Sequence, residues 1–282
     1  MGAAAVVGAA VAFAYVVNGG ALAVAGPGHA DAPSQDTPGQ AAATVNAGAP
    51  QSTVTTTTPP PPSPVLPFNA KIVFSDIPVP GGGVRSGGCS GSLIAPQWVI
   101  TAGHCFHDIN DVRISGAPPY VGTVTVGKLK DSDPGGHTAN VIDVRQSPKN
   151  DIALAKLETP VEGITPLTLA EAPPTIGQQL GFAGWGSRSP DVKLPSDQLK
   201  RGQFAVMAVK SVALEADSTV PRTVDNSPCP DDSGAPFFVS TDDRTGVLVA
   251  VESTGPPCPQ AGRETISRVD VIADWIGSQI TQ

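Results

Sequence analysis

Lysine and arginine are scarce in this sequence, and the first of them is Lys71. The 282 residues contain 17 basic and 25 acidic side chains, which gives a net charge of −8. Such a chain offers no basic surface for nucleic acid and no polybasic patch for anionic lipid. We therefore expect no nucleic-acid partner.

Cysteine is rare as well, and its spacing argues against a metal site. None of the four cysteines stands in a C-x-x-C pair, the arrangement that zinc sites commonly use. An even number of well-separated cysteines suits two disulfides in an oxidising compartment. The sequence thus predicts an exported protein rather than a zinc protein.

The N-terminal segment is apolar but lacks the basic residues that usually open a secretory signal. Residues from Gly2 to Val17 are small or apolar, and small-x-small cleavage patterns follow at Ala23–Ala25 and Gly28–Ala30. We predict that residues 1–32 are a signal peptide. The alternative is an uncleaved anchor in a membrane, because about 20 apolar residues can just span a bilayer. In both cases we expect a secreted, extracellular protein or one held at the cell surface.

Residues 33–67 are rich in proline and threonine and poor in large apolar side chains, as in Thr55–Pro64. This composition favours extended polyproline II structure over a packed core. We predict a disordered linker or pro-segment here, followed by one folded domain over residues 68–282.

Short runs of alternating apolar and polar residues, separated by Gly, Pro, Asn and Asp, fill the folded domain. The predicted strands are Ala70–Phe74, Trp98–Thr101, Thr123–Val126, Asn140–Val144, Ile152–Leu157, Phe204–Val209 and Gly246–Glu252. Many short strands with this punctuation indicate an all-β sandwich or a pair of barrels. One helix is predicted at Val271–Ile280, where apolar residues recur at helical spacing.

Three segments carry side chains suited to catalysis. Trp98–Cys105 runs from a buried strand into a turn that holds His104, which suits a general base or, more simply, a packed core residue. Asp151 directly precedes an apolar strand, so it needs a partner such as a histidine N–H unless it is a solvated turn residue. Ser233 lies in a tight turn before Gly234, and it either meets a base that removes its proton or is an ordinary surface serine.

Together these segments resemble the trypsin/chymotrypsin-like serine proteases, whose catalytic residues occur in the same order, His, Asp, Ser. The matching motifs are Trp98-Val-Ile-Thr-Ala-Gly-His-Cys105, Asn150-Asp-Ile-Ala-Leu154, Gly184-Trp-Gly186, Asp232-Ser-Gly-Ala-Pro236 and Leu248-Val-Ala-Val-Glu-Ser-Thr-Gly255. The secreted bacterial branch of the family is the most similar. The resemblance implies an all-β, chymotrypsin-like fold of two six-stranded antiparallel β-barrels with a C-terminal helix and the active site between the barrels.

The resemblance further implies a secreted serine endopeptidase that acts on proteins or peptides as a monomer and needs no cofactor or metal. Ser233 would attack the peptide carbonyl, His104 would take its proton, and Asp151 would hold the imidazole. The N–H groups of Ser233 and Asp231 would form the oxyanion hole. The implied disulfides are Cys89–Cys105 and Cys229–Cys258.

Two departures from the family favour a rival hypothesis, a catalytically weak or inactive protease-fold binding module on a Pro/Thr-rich stalk. Asp231 stands where the family has a glycine beside the oxyanion hole, although its side chain could simply point to solvent. Ile72–Ser75 lacks the family's activating N-terminal sequence, so the carboxylate of Asp232 needs another cation. The candidates are Arg188, Lys193, Lys200 and Arg201.

The resemblance also assigns a specificity pocket, with Ser227 at its floor and Ser253–Gly255 along its wall. A neutral floor predicts a preference for large apolar side chains. Glu264 stands where the family usually has a glycine that lines the pocket. If its carboxylate points inward, the pocket would instead favour a basic side chain; if it points outward, it is a solvated charge.

Overall fold

A computed structural model describes residues 65–281. The predicted signal peptide or anchor, residues 1–32, and most of the predicted linker, residues 33–67, lie outside the described residues. Across residues 65–281, every helix is too short or too polar to cross a bilayer.

Six antiparallel strands form the first barrel. They are β1 (Asn69–Pro78), β2 (Val84–Ala95), β3 (Trp98–Thr101), β4 (Val121–Val126), β5 (His137–Gln146) and β6 (Ala153–Leu157). The sheet closes in the order β1-β2-β3-β6-β5-β4. Alternate residues of β4 point inward, so that Val124 and Val126 are fully buried while Val121 faces out.

The second barrel contains the next set of strands. They are β7 (Thr168–Leu169), β8 (Gln179–Gly184), β9 (Lys200–Val209), β10 (Ala213–Ser218), β11 (Pro236–Val239), β12 (Val247–Thr254) and β13 (Glu264–Arg268). The order is β11-β8-β9-β10-β13-β12, and pairing of β11 with β12 closes the barrel. Short β7 adds a parallel partner to β12. The predicted fold of two six-stranded antiparallel barrels is therefore confirmed.

Aromatic side chains fill the centre of the second barrel. Phe182, Phe204 and Phe237 are buried, and their ring centroids lie 5.1 to 5.8 Å apart. The first barrel has a comparable group, in which the ring of Phe74 lies 5.1 Å from that of Phe106 and 5.8 Å from that of Tyr120. Each barrel thus has a core of its own, which gives the loops between them rigid supports.

The C-terminal helix is shorter than the sequence predicts. Helix α1 spans Ala273–Ile280, and the residues before it, Asp270–Ile272, form a 3₁₀ turn. Tighter turns of this kind are common at helix starts, and the periodicity of side chains does not distinguish them from the α-helix. Ile272 and Ile276 face the core, as the apolar stripe predicts.

Two disulfides are present, Cys89–Cys105 and Cys229–Cys258, the pairing that the family resemblance implies. The first connects β2 to the turn that follows β3. The second joins the loop before β11 to the loop between β12 and β13. Both bridges therefore hold loops at the ends of strands.

Removal of the second bridge should lower stability measurably. It closes a loop of 29 residues, and the first bridge closes one of 16. By loop entropy, replacing Cys229 and Cys258 together by alanine should lower the free energy of unfolding by about 3–4 kcal/mol. Denaturant titration would measure this, with the double alanine variant of Cys89 and Cys105 as the comparison. Unchanged unfolding free energies in both variants would contradict the expectation.

Candidate active site

His104 lies in a short 3₁₀ turn, Gly103–Cys105, directly after β3. The side-chain amide of Gln146 donates to the carbonyl of Gly103 at 2.9 Å and supports the turn. The backbone N–H of His104 donates to Oδ1 of Asp151 at 2.8 Å. The imidazole is 46% exposed, so His104 is not a packed core residue.

Asp151 occupies the position just before β6, where its neighbours hold it between the barrels. Asn150 is buried and donates from Nδ2 to the carbonyl of Arg268 at 2.8 Å. Oδ2 of Asp151 accepts from the hydroxyl of Ser253 at 2.7 Å. Burial by itself raises the pKa of Asp151, but hydrogen bonds from His104 and Ser253 outweigh burial and keep the pKa below its usual range.

Ser233 completes a hydrogen-bonded chain that crosses from one barrel to the other. Nδ1 of His104 lies 2.7 Å from Oδ2 of Asp151, and Nε2 lies 2.8 Å from Oγ of Ser233. When the Nδ1–H faces the carboxylate, Nε2 is the acceptor for the serine hydroxyl. A base in this position can take the proton of Ser233 as the oxygen attacks an electrophile.

The loop that carries Ser233 is fastened to the first barrel. The N–H of Ser90 donates to the carbonyl of Ser233 at 2.8 Å, and its hydroxyl donates to the carbonyl of Asp231 at 3.2 Å. Gly234 has a φ of +87°, and a side chain there would overlap Thr101 Oγ1 and the Ser90 carbonyl. Only glycine permits this close approach.

Comparison with known protein families matches residues 68–276 to the family Trypsin. The chain belongs to the trypsin family. It is 27% identical over 208 residues to transmembrane protease serine 5 of Homo sapiens, covering 67% of this chain and 45% of that protein. It is 29% identical over 212 residues to the snake venom serine protease catroxase-2 of Crotalus atrox, covering 68% of this chain and 77% of that protein.

The fold also has a relative among solved structures. Neuropsin, a serine protease expressed in the limbic system of mouse brain, superposes with a TM-score of 0.60 at 20% identity, covering 76% of this chain and 95% of neuropsin. The chain thus spans less than half of the first human relative but nearly all of neuropsin. The two sequence relatives named above are animal proteins, so they do not indicate a bacterial branch.

Two backbone N–H groups at and beside Ser233 are available to a ligand. Within residues 65–281, those of Asp231 and Ser233 have no acceptor in the protein, whereas the intervening Asp232 donates to the Cys229 carbonyl at 3.0 Å. Asp231 has a φ of +72°, which lies in the left-handed region that glycine adopts most readily. An aspartate therefore holds a backbone geometry that suits glycine.

The side chain of Asp231 is only partly exposed, and it forms no ion pair with any described residue. It is half-buried near Gly88 and Pro195, and its Oδ2 has no hydrogen-bond partner among the described residues. Burial, together with the nearby charge of Asp232, raises the pKa of Asp231 to about 6. The carboxylate is therefore destabilised where it lies, and it carries its full charge only above that pH.

Lys200 is the cation that pairs with Asp232. Both side chains are fully buried, and the ammonium also donates to the carbonyls of Ser187 at 3.1 Å and Ser227 at 3.0 Å. Asp232 in turn accepts from the N–H groups of Gly186 at 2.7 Å and Cys229 at 2.8 Å. Of the four candidates from the sequence, Arg188 and Arg201 instead pair with surface aspartates, and Lys193 is exposed.

A cavity of about 640 Å³ opens beside Ser233 and His104. Three residues that the sequence analysis assigns to a specificity pocket, Ser253, Gly255 and Glu264, line this cavity. Ser227 does not: it is fully buried, and its hydroxyl donates to Asn226, so it lies behind the wall of the cavity. Ser253 also donates a hydrogen bond to Asp151. The carboxylate of Glu264 points inward and lies against Gly255.

Sequence reasoning missed Glu252, which is buried and also lines this cavity. Glu252 lies within the motif Leu248–Gly255, and from the sequence it was interpreted only as a strand residue. Across residues 65–281, no group of three or more acidic, histidine or cysteine side chains is placed to hold a metal ion.

The buried pair of Lys200 and Asp232 generates a stability prediction. Lys200→Met leaves a carboxylate buried without its cation and should lower the free energy of unfolding by about 3–5 kcal/mol. Arg201→Met, at the next residue, breaks only an exposed pair and should cost about 0–1 kcal/mol. Denaturant unfolding of both variants measures the difference. Equal losses would show that Lys200 has no special part in holding the loop.

Proposed function

We propose that the protein is a secreted serine endopeptidase that hydrolyses peptide bonds through Ser233, His104 and Asp151. The observation that carries the proposal is the continuous chain of short hydrogen bonds through these three side chains. The trypsin-family relatives, which include proteins named as serine proteases, support the same reaction class.

The reaction begins when the peptide carbonyl carbon meets Oγ of Ser233. As the C–O bond forms, Nε2 of His104 takes the serine proton, and Asp151 stabilises the resulting imidazolium through Nδ1–H. The tetrahedral intermediate collapses, and His104 gives the proton to the leaving amine. Water then repeats the sequence on the acyl-enzyme, with His104 again acting as base, and restores Ser233.

The N–H groups of Asp231 and Ser233 form the oxyanion hole in this proposal. They are adjacent to the attacking oxygen, and they have no acceptor among the described residues. Donors aimed at a developing oxyanion each contribute about 2.7–4 kcal/mol to catalysis when they are preorganised. The ion pair of Lys200 and Asp232 orders the backbone between them.

The same ion pair weakens the case for an inactive binding module. The trypsin-family activation sequence is absent from Ile72–Ser75, but Lys200 provides a buried cation for Asp232 without it. We infer that the nucleophile loop is ordered without a new N-terminus. Secretion, the monomeric state and the bacterial branch stay predictions from the sequence.

A fluorophosphonate probe tests the nucleophile, because only an activated serine reacts with it. We expect the folded protein to be labelled and Ser233→Ala to be unlabelled. Ser233→Ala, His104→Ala and Asp151→Asn should each lower kcat on a peptide substrate by about 10⁴-fold or more, and the losses should not add. Circular dichroism serves as the folding control. A folded, unlabelled wild type would favour the binding module.

Asp231 is expected to limit the rate, because its charge lies beside the developing oxyanion. Its pKa is raised to about 6, so the charge appears as the pH rises through that value. The ratio of kcat for Asp231→Asn over wild type should therefore increase through the same pH range, since the titration of the triad cancels. Asp231→Gly also removes the strained side chain and should give the larger gain.

Ester hydrolysis across this pH range would measure both ratios. A ratio that stays near one for both variants would show that the side chain is neutral to catalysis. The folded protein should also lose stability relative to Asp231→Asn as the pH rises, because the raised pKa means that the native state favours the protonated acid.

A further inference from the structure

Two basic side chains have a nitrogen within 4.0 Å of the carboxylate of Asp151: His104 and Arg113. Nη1 of Arg113 lies 3.8 Å from Oδ1 of Asp151 and donates to the carbonyl of the preceding residue, Asn150, at 3.0 Å. Oδ1 is also the oxygen that accepts from the backbone N–H of His104. The proposed reaction assigns no part to Arg113, although its charge lies against the Asp151 carboxylate.

The guanidinium of Arg113 occupies a point where oxygen acceptors converge. A Cβ atom at Gly103 would lie 2.6 Å from Nη1 of Arg113. It would also lie 2.8 Å from Oε1 of Gln146 and 2.9 Å from Oδ1 of Asp151. The glycine at this position therefore leaves the space in which a cation and two acceptors meet.

The side-chain amide of Gln146 provides one of these acceptors. Its Nε2 is directed at three backbone carbonyls, at distances of 2.9 to 3.3 Å, those of Gly103, Phe106 and Ile114. Because carbonyls only accept hydrogen bonds, they fix the nitrogen on their side of the amide. Oε1 is buried and has no hydrogen-bond partner among the described residues. A buried acceptor without a donor favours a positive charge nearby.

The loop that carries Arg113 is ordered by its own hydrogen bonds. Arg113 pairs with His107 in an isolated antiparallel bridge. The carboxylate of Asp108 accepts from the N–H groups of Asn110 and Val112 at 2.8 and 3.0 Å, and this closes the tip of the loop. The position of the guanidinium is therefore set by the backbone as well as by the ion pair.

We propose that Arg113 is a positioning residue that acts on His104 through Asp151 and extends activity to lower pH. This rests on the proposed endopeptidase function. The guanidinium stabilises the carboxylate of Asp151 and disfavours a second positive charge on the neighbouring imidazole. With Arg113 in place, His104 is therefore neutral, and able to take a proton, at lower pH than without it.

Two carboxyl groups of the site suit the same pH range. Burial raises the pKa of Asp151, but hydrogen bonds from His104 and Ser253 outweigh burial and keep the pKa below its usual range. Asp151 therefore stays charged as the pH falls. Burial above all raises the pKa of Asp231 to about 6, so this side chain is neutral at lower pH. Activity that extends to lower pH thus reaches the range in which no charge on Asp231 opposes the oxyanion.

The pH dependence of kcat/KM on an uncharged ester tests the proposal. Arg113→Gln removes the charge, and it should raise the acidic midpoint of the profile by about half a pH unit. Arg113→Met, which is neutral and of similar length, should give the same shift. Arg113→Lys keeps the charge and should restore the midpoint. A purely structural role would lower kcat/KM at every pH and leave the midpoint where it is.

Arg188→Gln is the matched control. The Arg188 side chain is 43% exposed, against 42% for Arg113, but it pairs with Asp225 and not with the triad. Its loss should move the midpoint by less than about 0.2 pH units, because exposed charges are screened over about 10 Å. An unmoved midpoint in both neutral variants of Arg113, or equal shifts in Arg113→Gln and Arg188→Gln, would overturn the proposal.

Other titratable groups face His104 or the loop of Arg113, and they are the same in every variant of Arg113. They are Arg85, His107, Asp108, Asp111, Tyr120, Asp191, Glu252 and Glu264. Their effects therefore cancel when the variants are compared with the wild type. Salt gives an additional check, because the difference between wild type and Arg113→Gln should shrink as the screening length falls to about 3 Å at 1 M.

Nuclear magnetic resonance of the His104 ring keeps the test independent of turnover. In Ser233→Ala, adding Arg113→Gln should raise the protonation midpoint of this imidazole by about half a pH unit. Adding Arg188→Gln instead should leave the midpoint unchanged. These outcomes stand even if the protein hydrolyses no peptide, so the two failures are distinguishable. A midpoint that is equal with and without Arg113 would contradict the proposal in either case.

Discussion

The buried ion pair of Lys200 and Asp232 fixes the backbone of the loop that carries Ser233. Lys200 begins strand β9, and Asp232 immediately precedes Ser233, so the pair joins the loop to a rigid element. Burial of two charges is unfavourable unless their other hydrogen bonds are satisfied, and here backbone N–H and carbonyl groups satisfy them. The orientation of the neighbouring free N–H groups follows from this one network.

The remaining constraint is the fit between the barrels. Ser90 of the first barrel bonds to the loop of Ser233, while Asn150 reaches the backbone of Arg268 in the second. His104 therefore meets its two partners, Asp151 and Ser233, at hydrogen-bond distance. Because proton transfer depends on sub-ångström placement, the proposed reaction would depend on these contacts between the barrels.

The sequence predicts best where a residue's neighbours along the chain determine its structure. In β4, Val124 and Val126 point inward and alternate with outward-facing threonines, and this pattern predicts a strand from the sequence. Strand β2 is rich in Gly and Ser and has no such alternation of apolar residues, so the sequence does not predict it. Tertiary packing decides which basic residue pairs with Asp232. The sequence could therefore limit the partner to four candidates, but it could not identify Lys200 among them. The sequence did not single out Glu252, because it lies within a strand of apolar residues. Its position in that strand predicts that the side chain is buried, but it does not reveal that Oε2 of the carboxylate has no hydrogen-bond partner among the described residues.

An acid such as Glu252 is unfavourable for folding, and its burial without a partner therefore needs a reason. An apolar residue in this strand would pack as well and would remove the excess negative charge. The surrounding groups do not remove it either, because the two nearby cations, Lys200 and Arg222, are committed to the carboxylates of Asp232 and Glu264. Burial and the neighbouring Glu264 raise the pKa of Glu252 well above its usual value, so that a proton on this carboxyl removes the excess charge.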